Sequence, residues 1–183
     1  MKNFKRFVTM LMALVMCLSF VGCSKEHDEF YGKWGYVHEP KETVMKFKDN
    51  GRVVYNGESY TYTVDENFFN LTAKDGSTLK LRYEMDKENM YIYQTTAYEY
   101  VGEGTPDSII GLWENAQNKW KFEFTTEGTF NEDGYFPGYY AVDEENGVVK
   151  LAYNDQFVDT YIYYTLEGTT LTIEYPWLLV KSN

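Results

Sequence analysis

Beyond an apolar first stretch, the chain alternates apolar and polar residues in short bursts separated by turn formers. Bursts run through Thr43–Lys48, Ser59–Val64, Thr78–Met85 and Met90–Tyr93, then through Lys119–Phe124, Tyr135–Val142, Val148–Tyr153, Asp159–Leu166 and Thr170–Tyr175. A period of two puts alternate side chains on opposite faces, as a half-buried strand requires. Asn50-Gly51, Asp75-Gly76, Asp133-Gly134 and Asn146-Gly147 punctuate the bursts. Such pairs reach the positive φ angles of tight hairpins. No long segment after the first stretch holds a helical apolar period. The pattern predicts an all-β antiparallel meander, whose open edges are most simply removed by closure into a barrel.

The pattern also occurs twice. Phe30-Tyr31-Gly32-Lys33-Trp34 is answered by Ile109-Ile110-Gly111-Leu112-Trp113, with the glycines 79 positions apart. Met45–Gly51 corresponds to Phe122–Gly128, and Tyr60–Glu66 to Gly138–Glu144. Tyr83-Glu84-Met85 with Met90-Tyr91-Ile92 corresponds to Tyr164-Thr165-Leu166 with Leu171-Thr172-Ile173. Four matches in one order argue for a duplicated unit. Residues 101–108, rich in turn formers, read as the linker. The first repeat spans 30–100 and the second 109–183, of which Tyr175–Val180 reads as an apolar ending that docks on the body.

The first stretch has a different character. Lys2, Lys5 and Arg6 precede the apolar run Phe7–Val21, which is shorter than the roughly 20 residues a spanning helix needs. Residues 1–22 therefore read as a signal peptide, an N-terminal signal helix removed on export. Phe20-Val21-Gly22-Cys23 resembles the lipobox of bacterial lipoproteins, although Phe20 stands where leucine is usual. That resemblance implies a diacylglyceryl group on the Cys23 sulfur, with palmitate-like acylation, and cleavage just before it. Residues 23–29 would then be a lipidated tether to the outer, extracytoplasmic face of a cell membrane. Cys17 would leave with the signal, so the body must fold without a disulfide.

Removing the first 22 of 183 residues leaves 161, enough for one ordinary domain or two very small ones. Loss of the three basic residues takes the net charge from −11 to −14. So acidic a surface disfavours nucleic acid, a polyanion. The 18 Tyr and 12 Phe favour strands, where a half-buried ring packs while a tyrosine hydroxyl stays wet.

The Gly-x-Trp opening, the strand ending in glycine and the tyrosine-rich meander together resemble the lipocalin-like domains of bacterial lipoproteins. The resemblance implies two tandem repeats that form one composite barrel or sandwich, or alternatively two small barrels. In lipocalins the tryptophan of this motif closes one end of the barrel. By that resemblance Gly32, Trp34, Gly111 and Trp113 are structural.

Candidate chemistry is sparse. His27 and His38 are the only histidines, too few for a histidine-built metal site. There is no Gly-x-Ser-x-Gly elbow, no free cysteine nucleophile and no phosphate loop. Asp65-Glu66, Glu132-Asp133 and Asp143-Glu144-Glu145 read as solvated acidic turns. The pairs Tyr60/Tyr62, Tyr91/Tyr93 and Tyr161/Tyr163 each share a strand face. Cross-strand packing accounts for such rows, and a platform for sugars or apolar ligands is their functional reading. No cofactor is expected, and the chain reads as non-enzymatic. The leading expectation is a lipid-anchored binding protein for a small apolar or amphiphilic molecule or a glycan. The alternative is a protein-interaction or envelope-support module without a small ligand.

Overall fold

The computed structural model describes residues 29–86 and 88–182. The signal helix expected over 1–22, the lipidated Cys23 and all of the tether but Glu29 lie outside the described residues. Among those described there are fourteen strands and no helix. Each strand is hydrogen-bonded to its sequence neighbours in an antiparallel meander, and the strand order closes on itself because the last strand pairs with the first. The chain divides into two compact units, Met1–Lys80 with Val180–Asn183, and Leu81–Leu179.

The first unit holds β1 (Gly32–Tyr36), β2 (Met45–Lys48), β3 (Arg52–Tyr55), β4 (Glu58–Asp65) and β5 (Phe68–Ala73). Aromatics pack its core together with Val44, Met45, Val53 and Leu71. Phe30, Trp34, Phe47 and Phe69 are fully buried, with the Phe30 ring 5.6 Å from Phe47 and 5.0 Å from Phe69. Burying each such phenylalanine contributes roughly 1.5–3 kcal/mol. The indole nitrogen of Trp34 donates to the Phe30 carbonyl at 2.7 Å, so the tryptophan enters the core with its one polar atom satisfied.

The second unit holds most of β6 (Thr78–Asp86), then β7 (Asn89–Tyr100), β8 (Gly111–Glu114), β9 (Lys121–Phe124), β10 (Thr129–Glu132), β11 (Phe136–Asp143), β12 (Val148–Tyr153) and β13 (Thr160–Glu167), and β14 (Thr170–Ser182) as far as Leu179. Residues 101–110, between β7 and β8, carry no strand. Here β14 pairs with β7 as well as β13, so β7 to β14 form a ring of their own. The Tyr100 amide donates to the Thr169 carbonyl at 2.9 Å where that ring closes. Alternation works as it should: Val149, Leu151 and Tyr153 of β12 are buried, while Val148, Lys150 and Ala152 face the other way. Trp113, Phe122, Phe124, Phe130, Ile162 and Ile173 complete the core.

Strands β1 to β7 and β8 to β14 have closely matched lengths, with four, four, eight and six residues in β2 to β5 and again in β9 to β12. Local geometry matches too. The indole nitrogen of Trp113 donates to the Ile109 carbonyl at 2.7 Å. The Phe47–Tyr62 edge contact, at 5.1 Å and 80°, has its counterpart in Phe124–Tyr140 at 5.1 Å and 76°.

The observed strands include five that alternation did not single out, β1, β3, β5, β8 and β10. Two others run seven residues beyond the ends of their bursts. The segment read as Met90–Tyr93 extends to Tyr100, and the one read as Thr170–Tyr175 continues to Ser182. Residues 176–180 are thus part of a strand rather than a docked tail. The alternating pattern ends at the continuous apolar run Tyr175–Val180, yet the strand passes through it, Pro176 included.

Candidate functional site

The two rows Tyr91/Tyr93 and Tyr161/Tyr163, about 70 residues apart in sequence, line one groove of the second unit. Their strands explain the direction of the side chains. Ile162 of β13 points into the core, so Tyr161 and Tyr163 point away from it on the opposite face. Val148 and Lys150 do the same on β12, and they too line the groove. The groove encloses about 800 Å³, within the range of ligand pockets.

One end of the groove is tightly ordered. The Tyr93 and Tyr163 rings meet edge to face at 5.3 Å. The Arg82 guanidinium lies 3.7 Å from the Tyr163 ring centroid, and its Nε donates to Glu174 Oε2 at 2.6 Å. Tyr163 donates its hydroxyl to Glu84 Oε1 at 3.3 Å. Burial, with the nearby Glu84 carboxylate adding to it, pushes the Tyr93 and Tyr163 hydroxyls above the ordinary phenol range, so both stay protonated. The other end is open. Tyr161 is half exposed, and Lys150 Nζ holds Asp159 Oδ2 at 2.8 Å beside it. Val158, at the rim, and its neighbour Phe157 are largely or wholly exposed.

The third row stays apart. Tyr62 packs against Phe47 and Phe69 in the first unit, and Tyr60 donates to Glu58 Oε2 at 2.8 Å. Cross-strand packing is therefore the role of that row. Trp34 and Trp113 are fully buried and line neither the groove nor the cavity described next, and Gly32 and Gly111 open β1 and β8 with φ of 119° and 130°.

A smaller cavity of about 330 Å³ lies in the second unit, walled by Trp120, Tyr175 and Trp177 and floored by the core residues Tyr98, Phe122 and Ile173. Its acid is Glu132, which closes β10. The residue reads as a solvated turn acid in sequence, but the structure places its carboxyl partly inside the cavity. Oε1 accepts the Trp120 indole N–H at 2.9 Å, and Oε2 accepts the Tyr153 hydroxyl in a short hydrogen bond. Burial raises the Glu132 pKa above the usual glutamate range, partly offset by these two donors, while neighbouring Asp133 pushes it further up. Asp65, Glu66, Asp143, Glu144 and Glu145 lie at exposed strand ends and turns. Among the described residues no three His, Cys, Asp or Glu side chains gather to hold a metal ion.

Fold and site together define an all-β antiparallel meander carrying an open, tyrosine-lined groove and a separate aromatic cavity with one carboxyl group. No family model matches the chain, nor does any curated protein or solved structure.

Proposed function

We propose that the chain is a lipid-anchored, extracytoplasmic binding protein, and that the groove of its second unit holds a short glycan. The observation that carries this reading is the convergence of two tyrosine rows in one groove of about 800 Å³. Sugar rings present apolar C–H faces and a rim of hydroxyls. An aromatic ring covers the first, while charged and amide groups satisfy the second. The groove offers both, with Tyr161 and Tyr91 for stacking and Glu84, Lys150, Asp159 and Asn146 for hydrogen bonding. The anchor reading rests on the basic start, the apolar run and Gly22-Cys23.

The body would consist of two copies of one seven-strand, lipocalin-like unit. Matched strand lengths, the paired tryptophan hydrogen bonds and the paired Phe–Tyr contacts support duplication. The first copy keeps its Tyr60/Tyr62 row in cross-strand packing, so the groove is a property of the second.

The test is native mass spectrometry of the full-length protein in non-ionic detergent with a mixture of short glycans. A discrete adduct is expected, weakened at least tenfold by Tyr161→Ala. No adduct, or an adduct indifferent to that substitution, would sink the glycan reading. A second reading, a surface that docks another protein, is favoured by the exposure of Phe157 and Val158 at the rim. It requires a stoichiometric protein partner lost in Phe157→Ser.

A further inference from the structure

The small cavity of the second unit has a chemistry distinct from the groove. Its wall is built by a tightly held loop between β8 and β9. The buried Asn115 donates from Nδ2 to the Ala97 carbonyl at 2.9 Å, and its Oδ1 accepts the amides of Gln117 and Asn118 at 2.9 and 3.0 Å. Asn118 Oδ1 in turn accepts the Trp120 amide at 2.9 Å, which fixes where that indole points. The indole N–H meets Glu132. The hydroxyl of Tyr175, which lines the cavity, lies 3.3 Å from that of Tyr153, and Tyr153 donates to Glu132.

Both donors to the Glu132 carboxyl are neutral. Among the described residues the one charged group that acts on it is Asp133, which is also negative. A partly buried carboxylate without a cation is costly in its charged form. The rings of Trp120, Trp177 and Tyr98 also line the cavity, and tryptophan is the side-chain type that attracts cations best. A carboxylate whose two donors are neutral thus stands in a hollow lined by aromatic rings.

We propose that this cavity binds a small organic ammonium ion, its charged nitrogen beside Glu132 and its carbon substituents against Trp120, Trp177 and Tyr98. The volume of about 330 Å³ is at the lower end for ligand pockets and suits a single ring or a short chain. Amine and quaternary ammonium share this chemistry, and they differ in whether the nitrogen donates hydrogen bonds to the carboxylate. The site is independent of the glycan groove, although Tyr175 borders both.

The experiment is titration of the full-length protein at neutral pH, in non-ionic detergent, with phenethylammonium, with tetramethylammonium and with neutral 2-phenylethanol. Binding is read by calorimetry and by the fluorescence of Trp120 and Trp177. At least one ammonium ion is expected to bind, with phenethylammonium at least tenfold tighter than the alcohol. Glu132→Gln should weaken ammonium binding at least tenfold without changing that of the alcohol, and Trp177→Leu should weaken it severalfold. Equal affinity for phenethylammonium and the alcohol, no binding of either cation, or ammonium binding untouched by either variant would each overturn the proposal. Should Glu132→Gln fail to fold by circular dichroism, the wild-type ammonium-to-alcohol ratio and Trp177→Leu decide it.

Discussion

Glu132 couples the small cavity to the stability of the fold. Its pKa is raised above the ordinary 4.5, burial being the larger cause. An acid whose pKa rises on folding holds its proton more tightly in the native state. Between the unfolded and folded pKa values the native state therefore binds more protons, and stability falls as pH rises through that window. The groups facing the carboxyl are Tyr98 from β7, Trp120 before β9, Tyr153 from β12, Tyr175 from β14 and its own neighbour Asp133. Burial pushes the three phenols above their usual range, so they remain neutral throughout the window. Glu132→Gln removes the titration and keeps most of the shape. The wild-type thermal midpoint, measured relative to Glu132→Gln, should thus drop as pH is raised above the ordinary glutamate range. A difference that is flat with pH, or that grows with it, would show that the carboxyl is not held in a charge-averse setting.

The strands β1 and β8 begin on glycines of the same conformational type, yet their surroundings differ. Gly32 and Gly111 both adopt positive φ, which side-chain-bearing residues enter at a cost of roughly 1–3 kcal/mol. A Cβ on Gly32 would meet open space, whereas one on Gly111 would lie 2.6 Å from the Tyr100 ring. Tyr100 packs on Trp113 at 5.2 Å, so the ring cannot yield without disturbing the core. Gly111→Ala should therefore cost more than Gly32→Ala, by roughly a further 1–3 kcal/mol of overpacking. Urea unfolding of the two variants checks this, and equal losses would contradict it. The Gly-x-Trp spacing was legible in the sequence, but the clash with Tyr100 was not, because it depends on the pairing of β7 with β8. The same limit applied to the strands. Elements such as β4 and β11 alternate over eight residues, whereas in β3 Val53 and Val54 stand side by side and β10 has one apolar residue, Phe130, so neither shows the period. In β5 the adjacent Phe68 and Phe69 hide the period, although Phe69 and Leu71 are its buried face. Glu132 was misread for a related reason: the last residue of so short a strand looks like the turn that follows it. The tyrosine rows were legible as same-face pairs, but their convergence needed the register of β6 on β7 and the closure of β7 to β14.

At the scale of the whole molecule the proposed binding role depends on where the body is held, and the proposed anchor is a lipid on Cys23. A single acyl chain binds a bilayer only marginally, with an equilibrium constant of about 10⁴ M⁻¹. The diacylglyceryl group implied by Gly22-Cys23 adds a second chain, and at about 0.8 kcal/mol per buried methylene the two together hold firmly. A body of formal charge −14 after loss of the signal would gain nothing from an anionic surface, so in the proposed anchor the acyl chains would supply the attachment. Cys23→Ser removes the acceptor sulfur without touching the described strands. Because cleavage follows acylation, the variant is expected by mass spectrometry to keep residues 1–22 and lack the diacylglyceryl group that the wild type carries, with the far-ultraviolet circular dichroism of the β body unchanged. High salt should fail to release the wild type, because no charge attraction holds it. If the wild type keeps residues 1–22 and carries no diacylglyceryl mass, the apolar run Phe7–Val21 is an uncleaved anchor and the lipid reading falls. If salt alone strips the wild type, an electrostatic partner holds the body at the membrane instead of a lipid.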